Sequence, residues 1–180
     1  MSAIKWWTTG VLAIVGYGSA AMAEPAQGTM SMSLSATATA RCGFTDGGQD
    51  TNLPLGELTQ ADGRLDPSKV NGRTASLSGW CSGAGSTISI NAGRISRILL
   101  PSSLPSDFSA QIDYQAAVTI NGQTAQSQSN VGGSTPVVVG PFAGNITIAM
   151  SNAQTVGGAN RFLVAGGTYF GQVQITIRAN

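Results

Sequence analysis

Residues 30–40 read Met30-Ser31-Met32-Ser33-Leu34-Ser35-Ala36-Thr37-Ala38-Thr39-Ala40, an unbroken alternation of apolar and hydroxyl side chains. Successive side chains on a β-strand point to opposite faces. Extended, this stretch therefore presents methionine, leucine and alanine on one side and hydroxyls on the other. A helix would scatter the same residues around its circumference. The chain is read as β from this stretch outward.

The two-residue period recurs. Residues 74–81 set Ala75, Leu77, Gly79 and Cys81 on one face, and residues 87–92 set Ile88 and Ile90 on one face. Residues 111–120 do the same with Ile112, Tyr114, Ala116, Val118 and Ile120, and stop at Asn121-Gly122. That dipeptide favours a two-residue hairpin because both positions tolerate positive φ. Ser82-Gly83-Ala84-Gly85-Ser86 predicts a turn or bulge, and shorter strands are expected at 136–139 and 146–150. The last predicted strand, 168–178, places Tyr169, Gly171, Val173, Ile175 and Ile177 on one face. Residues 46–72 are expected to be an excursion with at most short elements. No 3.6-residue apolar period holds for more than two turns after the first residues. Short strands parted by Gly, Ser, Asn and Pro predict an all-β fold, and among all-β folds a sandwich.

The chain's beginning has the three-part layout of an export signal: Lys5, an apolar stretch over 6–17, and Ala21-Met22-Ala23. Cleavage is expected after Ala23, with Ala21 and Ala23 as the small residues the protease reads. An uncleaved anchor stays open at this point, because residues 6–23 approach the ~20 residues that span a bilayer. The predicted organisation is a signal peptide at 1–23, an extension at 24–40 and one domain at 41–180. Of the 180 residues 9% are charged, with nine basic and eight acidic residues, so no bulk field draws nucleic acid or an anionic membrane. Neither a nucleic-acid partner nor a permanent membrane span after processing is expected.

The two cysteines, Cys42 and Cys81, read as a disulfide in an oxidising compartment and as buried thiols in a reducing one. Metal binding is the other alternative, but two thiolates with no histidine leave a zinc site short of ligands. A disulfide is expected, stabilising by about 4 kcal/mol on the chain-entropy account.

The absence of histidine removes the Ser-His-Asp and Cys-His catalytic designs. A serine–lysine dyad would have to use Lys69, whose neighbour Ser68 is at the wrong spacing. Two aspartate pairs, Asp62 with Asp66 and Asp107 with Asp113, offer the carboxylates a glycosidase needs, but their turn-rich settings suit solvated or capping aspartates. Residues 45–52 resemble a calcium loop in composition without its ligand order. No enzyme activity, cofactor or metal is expected.

The alternating segment then has two readings: the first strand of its own domain, or a strand supplied to another sheet by β-addition. In the second, burying Met30, Met32 and Leu34 contributes about 1.5 to 3 kcal/mol each before ordering costs.

The signal peptide and four further stretches together resemble the chaperone-usher pilins, in the branch that includes spore coat protein U domains and archaic fimbrial subunits. The four are the alternating run into Arg41-Cys42, Leu77-Ser78-Gly79-Trp80-Cys81, Thr87-Ile88-Ser89-Ile90, and the closing Gly167-Thr168-Tyr169-Phe170-Gly171-Gln172-Val173-Gln174-Ile175-Thr176-Ile177. The middle of the chain matches only in rhythm, and Ala179 stands where many pilins carry a penultimate tyrosine. The resemblance implies an immunoglobulin-like sandwich lacking its last strand. Met30, Met32, Leu34, Ala36 and Ala38 would be the donor face, and Cys42–Cys81 the family disulfide. Tyr169, Val173, Ile175 and Ile177 would lie on the strand that borders the acceptor groove and that chaperones recognise. Implied partners are neighbouring pilus subunits, a periplasmic chaperone and an outer-membrane usher, with a destination at the cell surface as a fimbria or outside the cell.

Three functional classes follow: a structural fibre or coat subunit supporting adhesion or biofilm formation; a self-complete secreted sandwich binding carbohydrate or another surface ligand, with residues 99–108 as contact region; and an exported glycosidase. The first is the expectation.

Overall fold

The computed structural model describes residues 32–45, 51–99 and 103–180. The chain divides into two compact units, Met1–Thr37 and Ala38–Asn180. In the first, residues 32–37 belong to no strand, and Met32 and Leu34 are 80% and 88% exposed. Met30, Ala21 and Ala23 lie outside the described residues.

The second unit is all-β apart from one 3-10 turn at Pro67–Lys69, which Asp66 caps by accepting the Ser68 N–H at 3.1 Å. Its strands among the described residues are β1 (Cys42–Phe44), β2 (Thr74–Cys81), β3 (Thr87–Ala92), β4 (Ile95–Arg97), β5 (Phe108–Ser109) and β6 (Gln111–Ile120). They continue with β7 (Gln123–Gln128), β8 (Val137–Val138), β9 (Phe142–Thr155), β10 (Phe162–Leu163), β11 (Tyr169–Phe170) and β12 (Val173–Arg178).

A curled seven-stranded sheet runs β1-β2-β9-β6-β4-β11, with β7 also on β6. A three-stranded sheet runs β12-β3-β8, and β5 pairs with β10 in parallel. The alternation predicted for 111–120 is realised along β6. Ile112, Tyr114, Ala116, Val118 and Ile120 are buried, and the residues between them are half-exposed. Ile88 and Ile90 of β3 join them and Ile146 and Ile148 of β9 in one core, so the two larger sheets share a hydrophobic interior. Burying each such side chain contributes about 1.5 to 3 kcal/mol.

Local chemistry fixes the register. Asn121 and Gly122 take φ of 49° and 74°, the two positive values a tight primed turn demands, and β6 folds back into β7. In β9, Asn152 (φ 56°) sits where the pairing with β6 slips between Asp113 and Gln115, a bulge that an asparagine tolerates better than a β-branched residue. Cys42 and Cys81 are directly opposed in the β1–β2 pair and form a disulfide, as expected from an isolated pair in an oxidising compartment. No helix among the described residues is long and apolar enough to cross a membrane.

The closing strand differs from its sequence-based outline. Instead of running unbroken over 168–178, it divides at Gly171-Gln172. Tyr169 and Phe170 pair with β4 in the large sheet, whereas Val173 to Arg178 pair with β3 in the small one. The chain thus crosses between sheets, and Gly171 lets it do so. A Cβ there would lie 2.7 Å from Ile95 Cγ1 and 3.2 Å from Ile95 Cα.

Candidate functional site: an apolar cleft beside the last strand

Among the described residues, β12 has strand partners along one edge only. Six consecutive residues, Val173 to Arg178, oppose Ala92 to Thr87 of β3, and no described strand pairs with the other edge. An unpaired edge presents a row of N–H and C=O groups able to accept another strand. Val173, Ile175 and Ile177 are partly buried against the core, and Gln174 and Arg178 point outward.

A cleft of about 1570 Å³ opens beside this edge. Its lining includes Val173 and Ile175 of β12, Tyr169 of β11, the segment Leu53-Pro54-Leu55 and Phe44 of β1. Ala75 and Leu77 of β2, Ile148 and Met150 of β9 and Ile95 of β4 complete the lining. β1 is short, so its pairing with β2 ends where the Thr45 N–H donates to the Ser78 carbonyl at 2.8 Å. Beyond that bond the outer edge of β2 also lacks a strand partner among the described residues.

The cleft is nearly free of charge. Among the described residues, Glu57 is the single charged residue of its lining, and it is exposed. The Thr59 hydroxyl at 2.6 Å and backbone N–H at 3.1 Å hold its carboxyl below the usual range. Tyr169 donates its hydroxyl to the Val164 carbonyl at 2.8 Å, and burial is the main cause that pushes its phenol up. Such a cleft could hold an extended segment, which would gain a backbone ladder along β12 and bury alternate side chains.

Of the residues expected to border a groove, Tyr169, Val173 and Ile175 line this cleft, while Ile177 packs against the core without reaching it. Of the expected donor face, Met32, Leu34, Ala36 and Ala38 are exposed. The Leu53-Pro54-Leu55 part of the lining was not read from sequence. Leu53 and Leu55 sit two apart around a proline, and that short period was a usable signal within the 46–72 excursion.

The four aspartates considered for hydrolysis have local partners. Asp62 accepts the Arg64 N–H at 3.0 Å, and Asp66 accepts the Ser68 hydroxyl at 2.6 Å, which holds its carboxyl below the usual range. Asp113 pairs with Arg94 Nε at 2.7 Å, and Asp107 accepts from the Ser106 hydroxyl at 3.4 Å. The loop at 99–108 carries the exposed Leu99, Leu104 and Phe108; residues 100–102 lie outside the described residues.

No family model and no curated protein matches this sequence.

Proposed function

We propose that this chain is a structural subunit of an exported surface fibre or coat, assembled by donation of residues 30–38 of one copy into the cleft beside β12 of the next. The observation that carries this reading is the cleft that borders the edge of β12 without a described strand partner and that takes Val173, Ile175, Leu77 and Leu55 into its lining. The strand order supports it too. β1-β2-β9-β6 in one sheet and β3-β12 in the other corresponds to strands A-B-E-D and C-F of an immunoglobulin sandwich, with the place of strand G, beside F, left open.

On this reading the fold is a pilin-type sandwich short of one strand. The alternation of the extension has the period of the site: Met30, Met32 and Leu34 stand two residues apart, as do Val173 and Ile175 of the cleft. An interaction in which one surface meets a different surface of the next copy does not close on itself, so it builds an open filament. A periplasmic chaperone filling the same cleft, and an outer-membrane usher, are the partners this assembly requires. Adhesion or biofilm formation is the role such a fibre serves.

Removing residues 24–38 is expected to abolish polymerisation while the truncated protein still binds a synthetic peptide of residues 28–40. Electron microscopy and sedimentation read the first outcome and calorimetry the second. Unchanged polymerisation by the truncated chain overturns the proposal.

A further inference from the structure

The outer face of the large sheet carries a second feature, remote in chemistry from the cleft. Trp80 on β2 is 41% exposed. Its two cross-strand partners are Gly43 on β1 and Ala143 on β9, so the indole stands in a row whose other members have no side chain or a methyl group. The ring lies against the Gly43 backbone: a Cβ at that position would be 3.2 Å from Nε1, 3.4 Å from Cε2 and 3.5 Å from Cζ2.

Two residues back along β2, on the same face, Ser78 is paired with Asn145 of β9. Its hydroxyl donates to Asn145 Oδ1 at 3.4 Å, which leaves the Asn145 amide N–H groups, like the indole N–H, without a protein acceptor among the described residues. The indole thus shares the outer face of the sheet with the Ser78 hydroxyl and the Asn145 amide, two positions along β2, and none of the described residues of this patch, Gly43, Ser78, Trp80, Ala143 and Asn145, is a carboxylate.

We propose that Trp80, Ser78 and Asn145 form a surface site for a neutral pyranose. The sugar's face of C–H bonds, carrying partial positive charge, stacks on the electron-rich face of the indole. At the ring's edge its hydroxyl oxygens accept from the Asn145 amide N–H groups, while the indole N–H, lying in the ring plane, is not used by the stacked sugar. Trp80 contributes rigid area at little entropic cost, since it has two side-chain torsions and rests on Gly43. A shallow platform of this kind binds weakly, and it gains by repetition where many copies face a polysaccharide. The β-linked glucosides and galactosides, which offer an unobstructed C–H face, fit better than sugars with axial hydroxyls on both faces. Ser78 also lines the cleft, whereas Trp80 and Asn145 do not, so the test is read at those two residues.

Saturation-transfer NMR on the full-length chain with cellotetraose, lactose and a mannan tetrasaccharide tests the proposal. Transfer to cellotetraose or lactose is expected, strongest at ring C–H protons. Trp80→Ala is expected to weaken it about tenfold and Asn145→Ala about threefold. Trp80→Phe, which keeps a ring over Gly43, is expected to retain part of the signal and serves if the alanine variant does not fold. No transfer from any of the three sugars overturns the site, as does transfer that Asn145→Ala and the folded Trp80 variant leave unchanged. Loss of polymerisation in the truncation experiment bears on the cleft and leaves this outcome unaffected.

Discussion

Tyr114 shows how one side chain ties the interior to solution conditions. It is buried in the middle of β6, and burial pushes its phenol from 10.0 up to about 12. The folded chain thus keeps a proton that the unfolded chain releases. Stability is full below pH 10 and falls as pH rises toward 12, because the unfolded state there binds fewer protons. Tyr169, raised in the same direction, adds to the loss. Tyr114→Phe is expected to make the alkaline decline shallower without removing it, measured as urea midpoints between pH 9 and 12. An equal slope in both proteins counts against the assignment.

At the scale of elements, alternation with a buried apolar face was the readable signal. β2, β3 and β6 occupy the residues their periodicity predicts, because each inward position holds an aliphatic, aromatic, cysteine or small residue. β7 was not read: its inward residues are Ala125 and Ser127, too small and too polar to mark a face, although the Asn121-Gly122 turn announced a partner for β6. β9 is longer than the stretch 146–150, since its exposed half is built from Ala, Gly, Asn and Ser and its bulge breaks the period. In the candidate site, the β12 part of the lining was legible from the closing alternation, whereas the Leu53–Leu55 part comes from a loop whose placement depends on distant contacts. The division between β11 and β12 was hidden because a glycine in phase with Tyr169 and Val173 keeps the alternation intact while the backbone changes sheets. Gly171→Ala is therefore expected to cost about 1 to 3 kcal/mol, read by chemical denaturation. A loss below a few tenths of that range would mean the crossing relaxes easily.

Across the whole molecule, cohesion comes from one shared core and one covalent link. The disulfide joins residues 39 apart in sequence, and on the chain-entropy account its loss costs about 4 kcal/mol. The double variant Cys42→Ser, Cys81→Ser is expected to unfold at a markedly lower temperature by calorimetry, with β1 the first element to exchange its amide hydrogens. β1 has only three residues and, among the described residues, pairs with β2 alone, its remaining hold being the packing of Cys42 and Phe44 against the core.

That arrangement also decides how the domain answers tension. A pull applied through residues 38–41 arrives at Cys42, where three ladder residues would be a weak anchor. The sulfur–sulfur bond hands the load sideways to Cys81, at the end of an eight-residue strand seated along its full length against β9. In the oxidised protein, rupture at this end must shear β2 out of the large sheet. In the reduced one, it has only to unzip β1.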